Sequence, residues 1–230
     1  MKEPISEAYL IDNIKYMKTL PDKFANIVIA DPQYGIKESA HRNISRTKLA
    51  KTRMYRKEFW DSDIPPQEYF DQLFRVSKHQ IIFGINYFLG RVDLPFSAGR
   101  IIWDKCNEGT NFSDCEIAYC SFHHSTRLFR FLWNGMLQGT PGDGATMQGN
   151  KKKNQRRIHP TEKPIPIYQW MLRKYAKPGD IILDPNLGSG ASRIACFDGG
   201  FDFYSCENNE EFFKDQEERF QIHKQQLKLF

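Results

Sequence analysis

Two apolar runs, each closed by Asp-Pro, constrain the fold of this 230-residue chain more than any other feature. Asn26-Ile27-Val28-Ile29-Ala30 leads into Asp31-Pro32-Gln33-Tyr34-Gly35. Asp180-Ile181-Ile182-Leu183 leads into Asp184-Pro185-Asn186-Leu187-Gly188-Ser189-Gly190. A short run of β-branched residues bounded by turn formers reads as a buried strand. Ala8-Tyr9-Leu10-Ile11, residues 80–84, 100–104 and 201–206 read as further strands. Between them, helices are expected from Pro65-Pro66 through Lys78, over 165–176, over 190–197 and over 209–226. Residues 115–122 and 127–133 suggest an antiparallel pair around His123-His124, and the glycine-rich stretch 135–150 a loop. Strands alternating with helices predict an α/β sheet covered on both faces.

The segment 184–190 lies between strand and helix, where a ligand meets the carboxyl edge of such a sheet. Gly188 and Gly190 remove side chains that would block close approach. The helix that follows aims its free amides at whatever binds there. Glu207 ends the next strand 19 residues after Gly188, about the spacing at which an acidic residue reaches ribose hydroxyls. The loop lacks the third glycine of the dinucleotide fingerprint and the Lys-Ser/Thr of a phosphate loop. A carboxylate at its start, Asp184, would repel phosphate and suits a cation carrying an ammonium group, as S-adenosylmethionine does.

The first Asp-Pro turn reads as a claw for an amino group on a flat ring. Such an amine has its lone pair delocalised into the ring and is a poor nucleophile. Hydrogen bonds to the Asp31 carboxylate and the Pro32 carbonyl favour a tetrahedral nitrogen and free the lone pair. Tyr34 is placed to stack on a base drawn out of its duplex. This is catalysis by positioning and electrostatics.

Charge points to a partner. The net charge of +5 is unevenly spread. Residues 37–57 hold Lys37, Arg42, Arg46, Lys48, Lys51, Arg53, Arg56 and Lys57 against one Glu. Residues 151–157 add Lys151, Lys152, Lys153, Arg156 and Arg157, which leaves the remainder acidic. Two basic segments on an acidic body read as a polyanion footprint. No apolar run approaches a membrane span, and the N-terminus has no apolar signal core, so a cytoplasmic protein is expected. Cys106, Cys115, Cys120, Cys196 and Cys206 form no Cys-x-x-Cys pair and no zinc spacing. They read as reduced core residues, His123-His124 as solvated or core histidines, and no metal site is expected. Trp103 and Trp133 read as core.

With these motifs in this order, the chain resembles the β-class DNA amino-methyltransferases, which modify the exocyclic amino nitrogen of adenine or cytosine. Asp31-Pro32-Gln33-Tyr34 is similar to that family's Asp-Pro-Pro-Tyr motif, and 184–190 to its Asp-Pro-Phe-x-Gly-Ser-Gly loop. His159-Pro160-Thr161-Glu162-Lys163-Pro164 is similar to its His-Pro-Thr-x-Lys-Pro element, which lies beside the methionine moiety of the cofactor. Ile102-Trp103-Asp104-Lys105 and Phe83-Gly84-Ile85-Asn86-Tyr87 resemble further core segments. Asp12 matches an acidic position that contacts the cofactor's adenine.

The resemblance covers nearly the whole chain. It implies a Rossmann-like methyltransferase fold with a seven-stranded, mostly parallel sheet, a terminal antiparallel hairpin and a circularly permuted motif order. The expected organisation is one domain over 1–230: a catalytic half (1–134), a short basic DNA-recognition insert (135–157) and a cofactor half (158–230). The implied catalytic set is Asp31, Pro32, Gln33 and Tyr34. The implied S-adenosylmethionine set is Asp12, Asp31, His159, Lys163, Pro164, Asp184, Asn186, Gly188, Ser189, Gly190, Glu207 and Asn208. DNA is the implied partner, held by the two basic segments, in a bacterial or phage setting; a homodimer and an associated restriction endonuclease stay open.

Aspartate at the first claw position is usual for adenine-specific members, whereas serine is commoner in cytosine-specific ones. Adenine is therefore the expected base, with cytosine as the alternative. Two departures stand out. Gln33 replaces the second proline of the claw, which motivates a further alternative, a catalytically weak DNA-binding subunit. Asn186 replaces an aromatic that packs by the cofactor.

Overall fold

The computed structural model describes residues 3–36, 62–95, 97–108, 113–134, 137–140, 155, 158–159 and 161–227. In chain order the strands are β1 (Ser6–Leu10), β2 (Ala25–Ala30), β3 (Ser77–Phe83), β4 (Arg100–Asp104), β5 (Cys115–Cys120), β6 (Thr126–Arg130), β7 (Leu132–Asn134), β8 (Leu137–Gly139), β9 (Ile181–Asp184) and β10 (Asp202–Glu207). The helices are α1 (Asn13–Thr19), α2 (Gln67–Val76), α3 (Ile85–Phe88), α4 (Ile165–Tyr175), α5 (Ala191–Gly199) and α6 (Glu210–Leu227).

Eight strands form one sheet in the order β1-β10-β9-β2-β3-β5-β4-β6, and β7 pairs with β8 separately. The five strands from β1 to β3 are mutually parallel. Strand β5 runs antiparallel to both neighbours, β3 and β4, and β6 lies parallel to β4.

Alternation along the strands divides the core into two layers. Ile27 and Ile29 of β2, with Ile81 and Phe83 of β3, pack with Ile167, Met171 and Leu172 of α4 and Ala191 and Ala195 of α5. Val28 and Ala30, with Ile82, pack with Met17 of α1 and Tyr69, Phe70 and Leu73 of α2. Trp103 and Trp133 are buried, as expected. Cys120, Cys196 and Cys206 are buried, Cys106 and Cys115 are half-buried, and all five are free thiols.

Four expectations change. The helix expected to reach Lys78 stops at Val76, because Ser77 already pairs with Ala25 in β3. The Ser77 hydroxyl donates to the Leu73 carbonyl at 2.5 Å, satisfying one acceptor that the ending helix leaves open. Residues 115–122 and 127–133 do not pair with each other. Strand β4 lies between them, with Trp103 opposite Glu116 on one side and Phe129 on the other. The apolar residues Ile101 and Trp103 are thereby enclosed from both sides. Strand β6 also makes the sheet eight-stranded rather than seven-stranded. Within the stretch expected to be a loop, Leu137–Gly139 forms β8; residues 141–150 lie outside the described residues. Among the described residues no helix is long and apolar enough to cross a membrane.

Candidate active site

The chain leaves β9 toward β10 on one side of the sheet and β2 toward β3 on the other. The crevice outside the carboxyl ends of β9 and β2 is therefore the switch point where open α/β sheets bind ligands. Both Asp-Pro turns lie there. Asp31 follows β2 and Asp184 ends β9. Asp12 follows β1 and Glu207 ends β10 along the same edge. Because β5 is antiparallel, its amino end comes to this edge too and delivers Glu116, with Lys105 following β4 beside it.

The claw sits in a neutral network of two carboxylates and two ammoniums. Asp31 Oδ1 accepts from the Tyr34 hydroxyl at 2.8 Å and from Lys163 Nζ at 2.5 Å. Lys163 Nζ also lies 3.0 Å from Glu116 Oε2, whose Oε1 meets Lys105 Nζ at 2.7 Å. The Lys163 side chain is 3% exposed and rests over the Phe83 ring at 4.6 Å.

Burial disfavours charge on every member of this cluster, so position decides each outcome. Burial raises the Asp31 carboxyl above its usual range, against the pull of Lys163, and the neighbouring Glu116 raises it further. Glu116 overcomes burial because two lysines flank it, and its carboxyl falls to about 2. Lys163 overcomes burial between two carboxylates and is held protonated.

Beyond this network the claw remains open. Among the described residues, nothing hydrogen-bonds Asp31 Oδ2 or the Pro32 carbonyl. The half-buried Gln33 side chain makes no hydrogen bond to a described residue either, so the network does not depend on it. Tyr34, expected to stack on a base, stacks on Tyr87 with ring centroids 4.9 Å apart. Gly84 makes room for it, since a Cβ there would lie 2.2 Å from the Tyr34 ring.

The glycine loop is built from inside. Asp184 is 2% exposed. Its Oδ1 accepts from the Asn186 amide at 2.9 Å, and its Oδ2 from the Ser192 hydroxyl at 2.5 Å. Its carboxylate thus shapes the turn rather than facing a cationic ligand, and burial raises it to about 7 despite those two donors. Asn186, at the position of the expected aromatic, accepts a hydrogen bond from the buried Tyr69 hydroxyl. Glu207 accepts from the Gly188 and Asn209 amides, each at 2.9 Å, tying the loop to the start of α6. Gly188 has φ +50°, and among the described residues the nearest atom to where a Cβ would stand, outside its chain neighbours, is the Asn186 carbonyl oxygen at 3.8 Å. Gly190 has φ +72°, with Gln216 at 3.2 Å from its virtual Cβ.

Arg219 of α6 joins two segments of the site. It donates to the Ser189 carbonyl at 2.9 Å and lies 3.0 Å from Glu162, whose side chain is fully buried. His159 packs its ring on Phe212 at 4.2 Å, and burial with Lys163 nearby lowers it to about 3, so it is neutral. Asp12 caps α1 by accepting from the Lys15 amide at 2.9 Å. Pro164 is buried ahead of α4, and Asn208 is exposed just beyond β10.

The resemblance implies Lys163 as a cofactor residue; its ammonium is turned to Asp31 and Glu116. Glu116, Lys105, Tyr69 and Arg219 were not singled out from sequence. A glutamate in the otherwise apolar run 115–120 was the available signal for Glu116. Arg219 is one charge among many in α6 and carries none. All thirteen basic residues expected to hold DNA, Lys37 to Lys57 and Lys151 to Arg157, lie outside the described residues, as does Pro160. Among the described residues no group of three His, Cys, Asp or Glu could hold a metal ion. His123 meets the Tyr175 hydroxyl at 2.9 Å, at the opposite end of β5 from Glu116.

The sheet order and the two turns at its switch point define an open, doubly wound α/β protein with its ligand crevice at the carboxyl edge. A profile of the DNA methylase family, the N6/N4 methyltransferases, matches residues 103–218, and the chain belongs to that family. The "Putative methylase YubD" of Escherichia coli (strain K12) is 23% identical over 222 residues, covering 90% of this chain and 87% of that protein. The fold is similar to that of an M1.HpyAVI–SAM complex, with a TM-score of 0.53 at 16% identity, covering 93% of this chain and 98% of that one. It is also similar to the PvuII DNA methyltransferase (cytosine-N4-specific), with a TM-score of 0.55 at 12% identity, covering 95% of this chain and 89% of that one.

Proposed function

We propose that this protein transfers a methyl group from S-adenosylmethionine to the exocyclic amino nitrogen of adenine in DNA. The observation that carries the reading is the pair of open acceptors, Asp31 Oδ2 and the Pro32 carbonyl, at the switch point of a DNA methylase fold.

The residues present fit the donor. The open side of Gly188 leaves room for a ligand against the loop, and the amides at the start of α5 face the crevice. Gly188, Ser189 and Gly190 would hold it, with Glu207 and Asp12 along the same edge and His159 and Pro164 opposite. Bound there, S-adenosylmethionine supplies an electrophilic methyl on a sulfonium. Asp184 and Asn186 serve this site by holding the loop's shape.

Asp31 Oδ2 and the Pro32 carbonyl accept the two hydrogens of the base amine. This draws its lone pair out of the ring and toward the methyl. The amine lone pair would form the new N–C bond as the sulfonium's bond to that methyl breaks, its electron pair staying on sulfur to leave a neutral thioether; the nitrogen would then lose one proton to solvent water, which leaves it neutral. Asp31 at the first claw position favours adenine. Gln33 leaves both acceptors in place, which favours an active enzyme over a DNA-binding subunit. The basic segments 37–57 and 151–157 would serve the phosphates, an electrostatic and salt-dependent contact.

The test is transfer of labelled methyl from S-adenosylmethionine to unmethylated DNA, read by nucleoside mass spectrometry. N6-methyladenosine is expected. N4-methylcytosine would replace the base in this reading, and the absence of both with cofactor bound would refute it. Asp31→Ala is expected to abolish transfer while the folded protein still binds cofactor.

A further inference from the structure

The two oxygens of Asp31 have different surroundings. Oδ1 carries both donors, Tyr34 at 2.8 Å and Lys163 at 2.5 Å, while Oδ2 has no hydrogen-bond partner among the described residues. The outer torsion of an aspartate is broad and roughly two-fold, so a carboxylate held by one oxygen is oriented and a free one is not. An ammonium paired with one carboxylate alone settles between its two oxygens and would cover Oδ2. Here Glu116 holds Lys163 Nζ from another direction at 3.0 Å, and Lys105 anchors Glu116 at 2.7 Å. The contacts run from the end of β4 through β5 and the segment before α4 to the end of β2. Tyr34 and Lys163 meet one carboxylate oxygen directly, while Glu116 contacts Lys163 and Lys105 contacts Glu116.

We propose that Glu116 and Lys163 are positioning residues for the transfer. Glu116 keeps the Lys163 ammonium on Asp31 Oδ1, and Lys163 in turn keeps Oδ2 turned toward the substrate amine beside the Pro32 carbonyl. The inference rests on the methyl-transfer reading above. The network is neutral as a whole, so it orients the claw without adding net charge where a neutral base must enter.

Tyr34, Lys163 and Glu116 face Asp31 directly, with Lys105 behind Glu116. Asp184 of β9, Tyr69 of α2 and Tyr168 of α4 lie further back and add no cation. Removing Lys163 therefore makes the Asp31 carboxylate harder to form, and removing the Glu116 charge makes it easier.

The experiment compares the unaltered protein with Glu116→Gln, Lys163→Met and the double variant. It measures methyl transfer across pH together with equilibrium binding of S-adenosylmethionine. Glu116→Gln is expected to lower kcat by roughly tenfold to a hundredfold, the scale of a misplaced reacting group. Its cofactor Kd should stay within about twofold, a change of no more than about 0.4 kcal/mol. The acid limb of the kcat profile should move to lower pH in Glu116→Gln and to higher pH in Lys163→Met. A merely structural role would not shift the two limbs in opposite directions.

Cofactor binding that weakens as much as kcat falls would make Lys163 a cofactor ligand and overturn the inference. So would limbs that stay together, or an unchanged kcat. If a single variant fails to fold, the double variant, which removes one charge of each sign, decides by the same loss of kcat at retained Kd. An unaltered protein that transfers no methyl refutes the proposed function itself; an active one with an indifferent Glu116→Gln refutes only the positioning role.

Discussion

Replacing Asp184 by asparagine tests the interior construction of the cofactor loop. The wild-type carboxyl is 2% exposed and raised to about 7, from a value near 3.8 in the unfolded chain. The native state thus binds a proton that the unfolded state releases, so this group's contribution is fully present below the unfolded value and is lost as pH rises through about 7. A shift of about three units corresponds to about 4 kcal/mol of lost stability well above pH 7. About half of that falls between about pH 5.5 and about pH 8, because at the lower pH the unfolded carboxylate is already ionised. Asparagine has the same shape, can accept from the Asn186 amide as Asp184 does and can pair with a rotated Ser192 hydroxyl. It carries no charge to desolvate. Asp184→Asn should therefore gain stability over wild type by about 2 kcal/mol between those two pH values. Urea unfolding of cofactor-free protein at both pH values measures this directly. A stability difference independent of pH would refute the argument, because it would mean that Asp184 is ionised in the native loop at both.

Two further substitutions probe the same framework. Arg219→Met removes the Ser189 carbonyl contact and the cation beside the fully buried Glu162, which among the described residues keeps only the Gln155 side-chain amide and the Ile158 and His159 amides as donors, so urea unfolding should show a loss of about 1–3 kcal/mol. A loss below about 1 kcal/mol, the range of a surface pair, would show that Arg219 does not clasp the two segments. Gly188→Ala meets no clash, since its nearest neighbour is 3.8 Å from the new Cβ, and should cost only the roughly 1–2 kcal/mol of the left-handed conformation at φ +50°. A much larger loss of stability would mean that the open side of this glycine is filled by the protein itself.

Much of this protein was legible residue by residue. The apolar runs that became β2 and β9 are dense enough to admit no other reading, and proline after each aspartate marks where they end. The start of α4 behind Pro164 and the end of α5 at Gly200, with φ +73°, follow from the same local rules. The end of α2 was misjudged because chain passes from helix to strand at Ser77 without a loop. No turn residue marks such a boundary. The pairing of 115–122 with 127–133 was misjudged because nearness in sequence favoured a hairpin, whereas the burial of Ile101 and Trp103 favoured β4 between them.

The sequence by itself determined the elements, the Asp-Pro turns at their ends and the two motifs whose order marks the family, because each rests on neighbouring residues and backbone preference. Only the tertiary structure decided how those motifs are wired. Lys163 reaches Asp31 across 132 residues of chain, and Arg219 reaches Ser189 across 30. Glu116 joins them because β5 runs against its neighbours and turns its amino end to the carboxyl edge. A side chain's period shows which face of a strand it occupies, but not which strand lies beside it or in which direction that strand runs. Those are settled by burying both faces of the sheet at once, and with them which side chains meet at the claw.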